Sequence, residues 1–95
     1  MQSWLKEIEA ARTGAEVLAT TRDYVSLWSP AELREFPEDC RQIRVDTPAD
    51  IPRLREKLAE GCARSREAER SERVHDFLNL MARASDRLGE IGASA

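Results

Sequence analysis

Tyr24-Val25-Ser26-Leu27-Trp28-Ser29-Pro30-Ala31-Glu32-Leu33-Arg34-Glu35-Phe36-Pro37-Glu38-Asp39-Cys40 decides how this chain folds. The stretch holds the single Tyr, one of two Trp, one of two Phe and two of four Pro. Leu27 and Trp28 close an amphipathic helix. Ser29-Pro30-Ala31-Glu32 then reads as a helix start. The Ser29 hydroxyl can accept a first-turn amide, Pro30 loses nothing at the first helical position, and Glu32 can reach back to the amide of the cap. Leu33 and Phe36 come next at i, i+3 spacing. Pro37 blocks continuation and drives Phe36 out of the helical region. The expected shape is helix, corner, short helix, stop, with Trp28, Leu33 and Phe36 sent to one core.

Working outward, two further capping boxes divide the N-terminal half. Thr13-Gly14-Ala15-Glu16 starts a helix over 14–28, after a first helix over about 4–12 that Ser3 can cap. The apolar phase runs through Gly14, so one bent helix would also satisfy it; Thr13 and Gly14 favour two. Thr47-Pro48-Ala49-Asp50 and Asp50-Ile51-Pro52 are overlapping starts for a helix to about Glu60, with Gly61 as its stop. Residues 38–50 lack helical spacing. Ile43 and Val45 alternate with Arg44, which predicts an extended crossover whose aliphatics patch the core. An isolated strand there would need a second copy of the chain as its partner.

No large apolar residue lies between Leu58 and Val74, so 61–71 reads as a solvated loop or a polar first turn. The last helix, 68–90, is the clearest element. Val74, Phe77, Leu78, Met81, Ser85, Leu88 and Ile91 recur at i, i+3, i+4, i+7 spacing, and Leu80, Ala82 and Ala84 broaden the stripe. Gly89 and Gly92 read as its end, with 92–95 as a short tail. The fold class is therefore all-α: a compact bundle of about four helices with one short corner helix and one extended crossover, in a single domain over 1–95. The last helix is the expected centre.

Composition narrows function by exclusion. Charged residues are 35% and aromatics 5%, which suits amphipathic helices with solvated outer faces. The net charge is −3. Residues 53–73 carry seven basic against five acidic residues, interleaved at helical spacing, which favours pairing along the helix over a phosphate footprint. A helix-turn-helix reading helix at 52–61 would present Arg53, Arg55 and Lys57 beside Glu56 and Glu60, which suits phosphate poorly. Nucleic acid is not the expected partner. No apolar run reaches the ~20 residues of a membrane span. The N-terminus lacks a basic region followed by an apolar one, so no signal peptide is expected. Two Cys and one His fall short of a zinc set, and no metal or cofactor is expected. The sequence reads as a soluble cytoplasmic protein with reduced thiols.

Two candidates for chemistry remain, and both are weak. His75 could be oriented by Asp76, yet neighbours at i, i+1 do not face each other, so an ion pair with Glu72 is the better expectation. Cys40 has Arg41 to lower its pKa but Glu38 and Asp39 to raise it. The alternative reading is a small-ligand-binding or enzymatic helical bundle with a pocket near Tyr24, Trp28, Cys40 and His75, four separated residues that would have to converge. The favoured expectation is a non-enzymatic protein that contacts a protein partner or itself. Its surface would comprise Trp4, Leu5, Ile8 and Trp28, because a first helix of about nine residues looks too short to bury Trp4 and Leu5.

Overall fold

The computed structural model describes residues 2–94, and the side chains of residues 3–92. Among them are five α-helices and no strand: α1 (Gln2–Ala10), α2 (Gly14–Ser26), α3 (Asp50–Ala63), α4 (Arg66–Arg70) and α5 (Glu72–Ser94). Two 3-10 turns, Glu32–Glu35 and Glu38–Cys40, lie between α2 and α3. The all-α bundle, its corner and its crossover are as the sequence predicts. At ~1.5 Å per residue, the 23-residue α5 accounts for most of the 39 Å long axis. It packs on α1, α2, α3 and α4.

The caps explain the segmentation. Thr13 Oγ1 accepts the Glu16 amide at 3.2 Å, so α1 and α2 are separate helices. The Glu16 carboxylate reaches the Arg12 amide at 3.0 Å, one residue before the position a capping box uses. At the corner, Ser29 Oγ accepts the Glu32 amide at 3.2 Å and donates to Glu32 Oε1 at 3.1 Å. This cap starts only a single tight turn, because Pro37 holds Phe36 at φ −82°, ψ 154°. At α3 the Thr47 side chain is not the cap. Instead Asp50 Oδ2 accepts the amides of Asp46 and Thr47 at 3.0 and 2.9 Å. These bonds hold the Asp50 carboxyl below its ordinary pKa.

Residues 61–71 depart from expectation. α3 runs on to Ala63, and the short, separate α4 comes after it. Ser65 caps α4 through the Ala68 amide at 3.2 Å, and Ser71 caps α5 through the Val74 amide at 3.2 Å. The buried methyl of Ala68 anchors the short helix. Gly61 does not stop α3. It lies inside the helix, buried against Cys40, and a Cβ there would fall well within contact distance of Cys40 Sγ.

Gly89 and Gly92 do not end α5 either; the helix continues through both to Ser94, so residues 92–94 are helical where a tail is expected. A Cβ at Gly89 would meet nothing within 4 Å. Gly89→Ala should therefore stabilise the protein by about 0.5–1 kcal/mol, read as a higher midpoint in urea with an unchanged slope.

Val74, Phe77, Leu80, Met81 and Ala84 of α5 are wholly buried. The stripe is rotated toward Leu80 and Ala84, leaving Leu78 and Ser85 at its margin. Facing it are Ile8 of α1, Val17 and Thr21 of α2, and Ile51 and Leu58 of α3. Thr21 satisfies its hydroxyl by donating to the Val17 carbonyl at 2.8 Å. The C-terminal end of α1 is finished from outside: Arg87 donates to the Ala11 carbonyl through Nε and Nη2 at 3.0 and 2.8 Å. A guanidinium suits that position by both charge and forked geometry.

Candidate interaction surface

All five aromatic side chains of the chain form one connected set. Phe77 is its hub. Tyr24, Trp28 and Phe36 each lie 5.2–5.5 Å from it, centroid to centroid. Trp4 joins from α1, edge-on to Tyr24 at 5.6 Å. Phe77 and Phe36 are buried, whereas Trp4 and Trp28 are half-exposed at the rim. Trp28 lies two residues past the end of α2, and the amides of Leu27 and Trp28 bond back to the Tyr24 and Val25 carbonyls at 3.1 Å, a last tight turn that brings Trp28 to the same side as Tyr24.

The corner fixes Trp28 from both sides. Its ring packs on Phe36 at 5.4 Å, and the Arg73 guanidinium lies over it at 5.1 Å. Arg73 is itself paired with Glu32 and lies 3.9 Å from Glu35 Oε2. Ser71 donates to Glu35 Oε1 at 3.2 Å, so the start of α5 is tied to the corner turn twice. A cavity of about 250 Å³ opens here, lined by Tyr24, Leu27, Trp28, Glu32, Arg73 and Asp76. Leu27 is the large hydrophobic residue left exposed among the described residues, at 60%. Burial pushes the Tyr24 phenol above its usual pKa; Trp28 pulls it down, and Asp76 adds to the rise.

The expected surface is thus corrected in part. Ile8 is fully buried and belongs to the core. Leu5 is half-buried and packs against that core, and Trp4 does so as well. A nine-residue helix buries these side chains further than expected because α2 and α5 both pack on it. Leu27, which widens the α2 stripe in sequence, lies beyond the last turn of α2 and escapes the core.

The four-residue pocket does not form. Tyr24 and Trp28 line the cavity just described, and His75 lines a different one. That second cavity, about 320 Å³, lies between α3, α4 and α5, with Ala59, Cys62, Ala68 and Leu78 in its walls. His75 is not paired with Glu72. Its Nε2 stands 2.6 Å from the Glu69 carbonyl, across the α4–α5 junction. Cys40 is buried beneath α3, with its thiol 3.7 Å from Asp39 Oδ1 and 3.9 Å from the Lys57 carbonyl. Burial, then Asp39, pushes the Cys40 thiol up. Burial, then Cys40 and Asp39, pushes Cys62 to about 11. Neither is an activated thiolate.

The Cys62 shift has a consequence for stability. The folded chain keeps a proton that the unfolded chain gives up once pH passes the ordinary thiol value of 9.0. The resulting stability is complete below that value and is lost as pH rises toward about 11. Urea midpoints measured from pH 8 upward should fall across this window. Cys62→Ala should flatten the fall, and an unchanged slope in that variant would refute the assignment.

Among the described residues, no three His, Cys, Asp or Glu side chains are grouped to hold a metal ion, and no helix is long and apolar enough to cross a membrane. No family model matches this chain, and no curated protein or solved structure matches it.

Proposed function

We propose that this protein is a small non-enzymatic interaction domain that docks a protein partner, or a second copy of itself, on the strip formed by Trp4, Tyr24, Leu27 and Trp28. The observation that carries this reading is Leu27, 60% exposed at the mouth of a cavity walled by Tyr24 and Trp28. Apolar surface surrounded by charged side chains is where partners anchor, and Trp, Tyr and Arg are the residue types that most often carry binding energy. Glu32, Arg73 and Asp76 supply the polar rim. The partner is taken to be protein rather than nucleic acid, given a net charge of −3. The protein is taken to work in the cytoplasm with both thiols reduced.

Leu27→Glu tests this without endangering the fold: Leu27 closes α2 through its backbone amide, which the substitution keeps, its side chain is 60% exposed, and a carboxylate at a helix C-terminus costs about 0.3–1 kcal/mol. Sedimentation velocity over a wide concentration range reads self-association. Quantitative co-purification against the wild-type chain reads binding to another protein. Removing an anchor from the centre of an interface should weaken either by about 30-fold, the equivalent of roughly 2 kcal/mol. If the variant sediments like the wild type and retains the same partners in the same amounts, the strip is not the docking surface.

A further inference from the structure

Residues 41–46 form neither helix, turn nor strand. Their burial alternates: Gln42, Arg44 and Asp46 are exposed, Ile43 is half-buried and Val45 is buried. This is the period-two pattern of an extended segment. Among the described residues, the amides and carbonyls of Gln42, Ile43, Arg44 and Val45 have no hydrogen-bond partner; the next amide, of Asp46, is taken by Asp50. Unused backbone groups on an extended segment form a template for another strand.

A cavity adjoins each face of the segment. One, of about 330 Å³, has Val25, Ile43 and Val45 as its apolar wall and Arg22 at its edge. The other, of about 210 Å³, is bordered by Gln42, Arg44, Arg53 and Lys57. Arg22, Arg53 and Lys57 have no ion-pair partner among the described residues, and Arg44 has only an exposed pair with Asp46 at 3.0 Å. Asp50 faces the second cavity too, but its carboxylate is engaged by two backbone amides. Four cations thus stand against two carboxylates, in a chain whose net charge is −3.

We propose that residues 42–45 are a docking edge for an extended acidic segment of another protein, added alongside as a strand. Its acidic side chains would face Arg44, Arg53 and Lys57, and its alternate aliphatic side chains would face Val25, Ile43 and Val45. Main-chain pairing provides affinity in such additions, and pockets for alternating side chains provide selectivity. The charge pattern argues against a second copy as occupant. Pairing this segment with itself would bring Arg44, Arg53 and Lys57 against their own copies, and like charges facing one another are unfavourable. The site is separate from the Trp4–Trp28 strip and does not depend on it.

The test is a titration of the isotope-labelled full chain with a blocked peptide of alternating Glu and Val, about eight residues long, enough at ~3.4 Å per residue to cover the segment. The expected result is amide shifts centred on residues 42–45, with slowed hydrogen exchange at those amides. Binding should weaken as salt rises. Arg44→Glu combined with Lys57→Glu should weaken it by about tenfold, as expected for losing two exposed charge pairs. The Arg44 side chain is 85% exposed, so the fold should tolerate its replacement. A peptide N-methylated at every residue, which has no amide donor on either edge, should not bind. Four results would overturn the proposal: no shifts at millimolar peptide, equal binding of an alternating Lys-Val peptide, shifts centred on Leu27 and Trp28, or dimerisation of the chain through residues 42–45 without peptide.

Discussion

Phe77→Ala should lower the unfolding free energy by about 3–5 kcal/mol, the range for removing a large aromatic from a packed interior. The position is wholly buried and touches Tyr24, Trp28 and Phe36 at once. Removing the ring deletes three aromatic contacts, each worth about 0.5–1.5 kcal/mol beyond its buried area. The surrounding rings belong to α2 and the corner, so they cannot all close on the gap together. A domain of this size has a total stability of about 5–15 kcal/mol, so the variant should lose a large share of it. Urea unfolding followed by Trp fluorescence measures the loss. Phe77→Leu keeps most of the volume and should cost markedly less. Equal costs for Ala and Leu would mean that bulk at the hub does not set its contribution.

The second large effect is at Gly61. A methyl group there would collide with Cys40 Sγ, and both positions are buried. Gly61→Ala should therefore destabilise the protein by about 1–3 kcal/mol, as overpacking does, even though Ala is the better helix former by nearly ~1 kcal/mol. The diagnostic result is the double variant. Cys40→Ala removes the sulfur and leaves its Cβ 3.9 Å from the new methyl, an ordinary contact. Cys40→Ala alone should be destabilising, because it empties buried space. Together the two substitutions should cost less than their sum by about 1 kcal/mol or more, a coupling in the range seen for residues in contact. Strict additivity in the unfolding curves would rule out close packing between α3 and the second 3-10 turn.

Gly61 also shows where sequence reading reaches its limit. A glycine after Glu60 looks like a helix stop, because the local pattern cannot show that Cys40, far back in the chain, presses on it. Gly89 and Gly92 mislead for the opposite reason: packing against the rest of the bundle holds α5 helical past two residues that disfavour helix. α4 is hard to see because its apolar content is one alanine, Ala68, and its Ser65 cap has no partner that completes a capping box. The legible elements rest on strong local chemistry. Thr13 separates α1 from α2, Ser29 and Pro37 shape the corner, and the spacing from Val74 to Ile91 marks α5.

The candidate surface divides along the same line. Tyr24 and Trp28 are readable as neighbours because they stand four residues apart, and although α2 ends at Ser26 the chain keeps turning, with the Trp28 amide bonded back to the Val25 carbonyl at 3.1 Å. The cation of Arg73 over Trp28 is not, since nothing in the sequence aims the start of α5 at the corner. Residue type alone groups His75 and Cys40 with Tyr24, and the fold sends them to three separate places. Leu27 does not stand out because a stripe drawn on a helical wheel assumes that the helix continues, and α2 ends at Ser26.

The contact of α1 with α5 also sets an order of events during synthesis. Ile8 is sealed by a helix whose hub, Phe77, is added 69 residues later. At about 5–20 residues per second, that delay is about 3–14 s. For the last 41 residues of that interval, from Phe36 to Phe77, about 2–8 s at the same rate, α1, α2 and the corner exist without the helix that covers them, and Trp4, Tyr24, Trp28 and Phe36 face solvent together. Closure of the core waits on the last helix, so a nascent chain stalled before Phe77 would present the same rings as sticky surface, open to chaperones or to its neighbours on a polysome.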